Sequence, residues 1–547
     1  MISYGECGWS QVREENPVVV TKNGRIRGFN RNGNGVFLGI PYGGSCDGEK
    51  RFKAPEPVEN WQGMRDCTAN GPVAMQETAV DISLLPEPMG KIVQDFSDHF
   101  TGGVSYDKST DVCSENCLVL NIVTPGIDTK KRPVMVYIHG GGYASGSGNV
   151  TAAICDRLAD EEDVVIVTVN HRLNVFGFLY LGGFDAEYSD SGLAGQLDLV
   201  LALEWIRDNI HSFGGDPENV TLVGESGGGI KIAHLMAMPA ARGLFSKAIS
   251  ISGSLKVGAL TKEEGHRQTL AIMKELGISE EDWKSLLEVP AEKLLKSAGT
   301  VLGAELILPD YTPYMPVADG VHLPLNPEKN YKAYEVSDEV SLLVGASEEE
   351  LAMNIQINPQ MTWEDVRSCL LRGSLDHIVP MPGLNESNVD AVVETFCEAC
   401  GDQKQPWQIY VQILSMCHFL GGGAFKAAMT KAARKKAPVW HYMTTYDAPL
   451  PGPFPLACAW HTADLPLVFR AVYHKEAEAL SKTMAHAFAA FARTGSPETD
   501  ALRWPAFTVE DKRTMIFDEE CICLADPYKK IHEVVAMMCG DKEGVLK

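Results

Sequence analysis

Continuous apolar runs, each closed by turn residues, constrain this chain more than any other feature. "RPVMVYIHGGG" (132–142), "EDVVIVTVNHR" (162–172) and "NVTLVG" (219–224) lack the in–out alternation of a half-exposed strand. Strands covered on both faces read this way. Between them, "NVTAAICDRLADEE" (149–162) and "LAGQLDLVLALEWIRDNIHSFGG" (193–215) place apolar residues at helical spacing, and "GGIKIAHLMAMP" (228–239) follows as a helix. "AISIS" (248–252), "VSLLVGA" (340–346) and "APVWHYMTTY" (437–446) continue the strands, with helical stretches over 261–299 and 363–435. Alternation from end to end predicts an α/β fold on a largely parallel sheet, with residues 1–547 forming one domain. Near the start, "PVVVTKNGRIRGF" reads as a hairpin turning at Asn23-Gly24. The 76–110 segment has no clear period and reads as a cap or rim over a pocket or as a long surface loop.

Composition narrows the partners. A net charge of −24 disfavours nucleic acid and anionic membrane surfaces. No apolar stretch reaches the ~20 residues of a membrane helix, and the first twenty residues show no secretory pattern. The fourteen cysteines are scattered, and neither Cys397-x-x-Cys400 nor Cys521-x-Cys523 has a second pair at zinc spacing. The expectation is a reducing cytoplasm, no metal and no cofactor. Oligomeric state, monomer or homodimer, is not readable.

"VTLVGESGGG" (220–229) raises the chemical question. Its G-x-S-x-G places Ser226 between a strand and a helix, where a sharp turn exposes a nucleophilic hydroxyl and small neighbours keep it clear. A serine needs a base, and the base needs an acid to orient it. It also needs backbone N–H groups aimed at the developing oxyanion. "IHGGGY" (138–143) follows a strand and supplies a loop able to turn its N–H groups inward. For the acid, a strand runs into Glu348-Glu349-Glu350, and spacing does not choose among the three; such a run otherwise reads as a solvated turn. Of the later histidines, His377, His418, His441, His461, His474, His486 and His532, His461 lies in the Pro-rich loop "PLPGPFPLACAWHTADLP" after a strand. His441 falls within a strand, and His474 and His486 on a helical stretch. His418 precedes a second glycine triplet but follows a helix, so it is set aside.

These motifs together resemble the type-B carboxylesterase and cholinesterase family of α/β-hydrolases. "GIPYGG", "RFKAPEPVENWQG", "SENCLVLNI", "NHRLNVFGFL", "FGGDPENVTLVGESGGG" and "FARTGSPETDALRWPAFT" match its segments in order, nearly end to end. The resemblance implies an α/β-hydrolase fold with helical insertions and a rim around an active-site gorge. It implies Ser226 as nucleophile, Glu350 as acid, His461 as base, and Gly141, Gly142 and Gly227 as oxyanion donors. Glu225 matches a buried glutamate of the family. Gly227 stands where alanine is usual, and Glu349-Glu350-Leu351 where Asp-Glu-Gly is common. Cys117 matches a disulfide cysteine of secreted members, but "ANGPVAMQ" (69–76) lacks its partner and Cys67 lies outside the motif. The implied activity is hydrolysis of a small-molecule carboxylic ester through an acyl-enzyme. The alternatives are an amidase or carbamate hydrolase on the same machinery, and a non-catalytic recognition protein.

Overall fold

A computed structural model describes residues 16–76, 111–253, 258–304, 314–325, 335–353, 357–373, 381–400, 404–449, 456–472 and 474–540. Apart from Gln76, the 76–110 segment lies outside them, as does His377.

The apolar runs assemble into an 11-stranded sheet. In chain order its strands are β1 (Phe29–Arg31), β2 (Asn34–Pro41), β3 (Val119–Thr124), β4 (Arg132–Ile138), β5 (Val165–Val169) and β6 (Gly215–Glu225). β7 (Lys247–Ile251), β8 (Ser341–Ser347), β9 (Val439–Thr444), β10 (Arg513–Phe517) and β11 (Ile522–Ala525) complete it. The spatial order is β11-β10-β9-β8-β7-β6-β4-β5-β3-β2-β1. Every neighbouring pair from β5 to β10 is parallel, and the outer pairs are antiparallel. The result is a large, mostly parallel central sheet flanked by helices, as the α/β expectation requires.

Alternate residues of the central strands feed two cores. Val134, Val136 and Ile138 of β4 pack with Leu199 and Leu203 of α3 (Ala194–Asn209) and Ile232 of α4 (Gly227–Ala237). Met135 and Tyr137 face the other way, into a cluster with Ile154 of α1 (Gly148–Ile154), Leu158 of α2 (Asp156–Glu162), and Met484 and Phe488 of α5 (Glu478–Thr494). Burial on both faces is why these strands carry no polar alternation. A fully buried ion pair, Arg172 Nη2 to Asp198 Oδ1 at 2.6 Å, ties the turn after β5 to α3.

Several local expectations need correction. The hairpin forms from Val18–Thr21 and Gly24–Arg27, but Thr21 pairs with Gly24, so its turn is Lys22-Asn23. The Thr21 hydroxyl donates to the Gly24 carbonyl and closes the loop one residue early. The helix expected over 149–162 is two helices meeting at Cys155. Strands β2, β3, β10 and β11 are not among those expected from the sequence.

The sheet order reverses beside β4: β5 lies on one side and β6 on the other. Ligands of open α/β sheets bind outside the carboxyl ends of strands at such a switch point. Here β4 ends in "HGGG" and β6 ends in Glu225-Ser226.

Candidate active site

Gly224 is registered against Ile138 across the β4–β6 pair, so the two following loops leave the sheet side by side. Ser226 takes the N-cap position of α4 with φ 54° and ψ −122°, on the unfavourable side of backbone space. Its N–H donates to the Ile251 carbonyl at 2.9 Å, and its carbonyl accepts from Ile230 N–H at 3.2 Å. The neighbouring loop turns through Gly141 and Gly142 at φ 80° and 61°, values that favour glycine. Asn174 holds this loop, donating its N–H to Tyr143 O at 2.6 Å and its Nδ2 to Ala144 O at 3.2 Å. A Cβ added at Gly227 would lie 2.5 Å from Gly142 N. The two backbones therefore touch, and the glycine where alanine is usual is what admits the contact.

On the other side, Glu350 begins a short helical turn after β8. Its Oε1 accepts from Ser347 N–H at 2.7 Å, and its Oε2 accepts from His461 Nδ1. Glu350 is the member of the glutamate run that meets the histidine. His461 Nε2 lies 3.4 Å from Glu225 Oε1. Glu225 Oε2 in turn lies 2.7 Å from where a Cβ on Gly140 would sit, and that point is 3.3 Å from Ser226 Cβ. Glu225 thus joins the histidine side to the serine side. The structure brings Ser226, Gly142, Gly227, Glu225, His461 and Glu350 into one neighbourhood at the carboxyl edge of the sheet.

Burial sets the charges. It pushes Glu225 up to about 8, against His461, which favours the carboxylate. Asp464, whose Oδ2 accepts from the Tyr442 hydroxyl at 3.0 Å, is likewise pushed up to about 7 by burial and by the Glu350 charge. For His461 burial disfavours the cation, but the carboxylates of Glu350 and Glu225 outweigh it and raise the imidazole above its usual range. These groups titrate as a set.

Sequence reasoning missed two features. Lys231 is completely buried on α4, donates to His139 O at 3.0 Å beneath the glycine loop, and is pushed down by burial to about 7. Glu348 and Glu349 are buried rather than solvated. The lysine that partners them, Lys404, is 55 residues away in sequence from Glu349 and gave no local signal. Among the other histidines, His441 is inside β9, bonded to Thr514 Oγ1 at 3.0 Å, and His486 pairs with Glu162 at 2.9 Å. His418 falls in the helical segment Met416–Ala424. His474 precedes a short helical turn, and His532, in the helix Lys529–Met538, packs tilted against the Phe425 ring. Among the described cysteines, Cys67 and Cys117 are free thiols. Away from this site, Asp190, Asp319 and His322 place ligand-type atoms within 4.8 Å of one another. Asp319 Oδ1 already accepts the N–H groups of Val321, His322 and Leu323. No described helix is long and apolar enough to cross a membrane.

A carboxylate on Nδ1 of an imidazole, beside a serine in a strained turn and a glycine loop, has the parts for acyl transfer through a covalent intermediate. Comparison with known proteins points the same way. The carboxylesterase family model matches residues 15–531. The chain is 34% identical to para-nitrobenzyl esterase of Bacillus subtilis, covering 93% of this chain and 96% of that one. It is 30% identical to carboxylesterase 1C of Rattus norvegicus, over 90% and 88% of the two chains. The crystal structure of carboxylesterase EST55 of Geobacillus stearothermophilus superposes with a TM-score of 0.76 at 32% identity, covering 94% of this chain and 99% of that one.

The charge arrangement predicts that the His461 ring, followed by NMR, titrates above the ordinary histidine value of ~6.5. Glu225→Gln removes a carboxylate 3.4 Å from Nε2 and should lower that midpoint. A parent midpoint at or below the ordinary value, or a rise on substitution, would contradict the assignment of cause.

Proposed function

Because the chain belongs to the carboxylesterase family and hydrolyses carboxylic esters, we propose that Ser226, His461 and Glu350 are its catalytic triad, with backbone N–H groups of Gly141, Gly142 and Gly227 as its oxyanion hole. One observation carries the reading. The glutamate that reaches His461 Nδ1 comes from the end of β8, while Ser226 and the glycine loop leave the adjacent ends of β6 and β4.

Ser226 Oγ attacks the ester carbonyl carbon as His461 Nε2 takes the hydroxyl proton. Glu350 fixes the imidazole tautomer and stabilises the imidazolium. Charge collects on the former carbonyl oxygen, where the N–H groups stabilise it. The tetrahedral intermediate collapses, the C–O bond to the alcohol breaks, and His461 returns the proton to the departing oxygen. Water, deprotonated by the same nitrogen, attacks the acyl carbon; the second tetrahedral intermediate collapses, the bond to Ser226 Oγ breaks, and His461 returns the proton to Oγ as the acid leaves.

The whole chain acts as one catalytic domain on small-molecule esters without a cofactor. The free thiols among the described cysteines favour a reducing compartment, the cytoplasm. Substrate charge follows from the site's make-up. Glu225, Glu350 and Asp464 surround His461, and the protein's net charge is −24. Lys231, on the helix that follows Ser226, and Arg172 are buried, and Arg172 is paired with Asp198. Neither is free to draw in an anion.

Ser226→Ala should fold normally and lose ester turnover by at least ~10⁴-fold; turnover near the parent rate in a folded variant would remove Ser226 from the reaction. Gly227→Ala, which drives a methyl into Gly142, should displace the glycine loop and lower kcat by on the order of tenfold or more, since one oxyanion donor contributes ~10²–10³. An unchanged kcat would show that the loop does not need this contact. With size-matched esters, kcat/KM should favour neutral or cationic substrates over a dianion, and added salt should narrow the gap. A preference for the dianion that weakens with salt would reveal a basic entrance instead.

A further inference from the structure

Glu350 and His461 are 111 residues apart in sequence, and something must hold their loops in register. The residues that do so are the ones expected to face solvent. Glu349 is 0% exposed. Its N–H donates to Ala459 O at 2.8 Å, and Ala459 N–H donates back to Glu349 Oε2 at 3.0 Å. This forms an isolated parallel bridge between Glu349 and Trp460, the residues directly preceding Glu350 and His461. The other carboxylate oxygen, Oε1, accepts from Lys404 Nζ at 2.6 Å and from Gln412 Nε2 at 3.0 Å. Both oxygens of a buried carboxylate are thus satisfied, one by the histidine loop and one by residues outside it.

We propose that Glu349, held by Lys404, is a positioning residue that clamps the histidine loop to the acid loop and so sets the Glu350–His461 hydrogen bond. The proposal rests on the triad reading above. The clamp has a charge requirement as well as a shape. A buried carboxylate needs a cation and full hydrogen bonding to stay ionised. Lys404 supplies the cation, shared with Glu348 Oε2 at 3.3 Å. Burial pushes Glu349 up to about 7, the Glu348 charge adds to that, and Lys404 opposes both. The groups facing the clamp are Lys404, Glu348, Asp447 and Cys458. Those facing the imidazole are Glu350, Glu225 and Asp464. Glu348 differs in kind: its N–H donates to Thr444 O at 3.0 Å and its Oε1 accepts from the Tyr528 hydroxyl at 3.4 Å, so it braces the loop against β9 and not against the histidine.

The test uses the full-length enzyme and four variants, with kcat, KM, melting temperature and the NMR titration of His461 measured for each. Glu349→Gln keeps the shape and loses the ion pair. It should lower kcat by roughly 10–100-fold, the range reported when positioning partners of a reactive ligand are removed, with KM within about twofold. The His461 midpoint should fall, because a loosened Glu350 stabilises the imidazolium less. Lys404→Met should do the same, while Lys404→Arg should retain most of the parent rate. A change confined to melting temperature, with kcat and the His461 titration at parent values in Glu349→Gln and Lys404→Met, overturns the clamp. Should Glu349→Gln fail to fold, the Lys404 pair decides alone. Glu350→Gln separates the two levels of the argument. If it leaves kcat intact, the triad reading fails; if it is crippling while the clamp variants are not, the triad stands and only the clamp falls.

Discussion

A serine at φ 54°, ψ −122° occupies backbone space that costs an L-residue on the order of 1–3 kcal/mol and persists only where its surroundings over-determine it. At Ser226 they do. β6 is pinned between β4 and β7 in parallel register up to Gly224 and Glu225, and α4 starts on the next residue. The turn has no room to relax, and the chain must present the serine outward at the end of the sheet. Three other non-glycine residues with positive φ lie on neighbouring loops. Thr462 follows the histidine at φ 73°, Asn174 braces the glycine loop at φ 46°, and Ser252 ends the next strand at φ 50°.

Around that turn the protein buries more carboxyl groups than an ordinary interior would carry. Glu225, Glu349, Glu350 and Asp464 are each nearly or fully covered. Their arrangement divides them. Glu350 is committed to His461 Nδ1, and Glu225 faces Nε2. Asp464 is engaged by the Tyr442 hydroxyl, while Glu349 binds the backbone that carries the histidine. Low dielectric strengthens every one of these contacts and makes each lost partner costly. The carboxylates therefore favour the imidazolium form of His461, and Glu350 fixes the ring through Nδ1.

How much of this was legible depended on how local the signal was. The parallel sheet, Ser226 and the glycine loop were readable because each is written within about ten consecutive residues: an apolar run, then the small residues that a tight turn demands. His461 was readable from its Pro-rich loop after a strand. Which glutamate meets His461 was not, because Glu348, Glu349 and Glu350 differ only in where the backbone points them, and Thr444, Ala459 and Lys404, far along the chain, take part in setting that. The expectation of a solvated glutamate run failed for the same reason. Lys231 was overlooked as part of the site because a lysine on an amphipathic helix ordinarily faces water; here close approach of the glycine loop covers it. The short strands β10 and β11 carry an arginine and a cysteine; β10 pairs with β9, and β11 pairs with β10 as the edge strand, so tertiary pairing and not their own pattern defines them.

The central claim is that the residue held in the strained turn is the one that bonds to the substrate. The most direct measurement is to inactivate the enzyme with a serine-directed phosphonate ester and map the adduct by peptide mass spectrometry. The account predicts one phosphonyl group per chain, on the peptide containing Ser226, with activity lost in proportion to labelling. An adduct on any other residue, or a fully labelled Ser226 in an enzyme that still turns over esters, would contradict it.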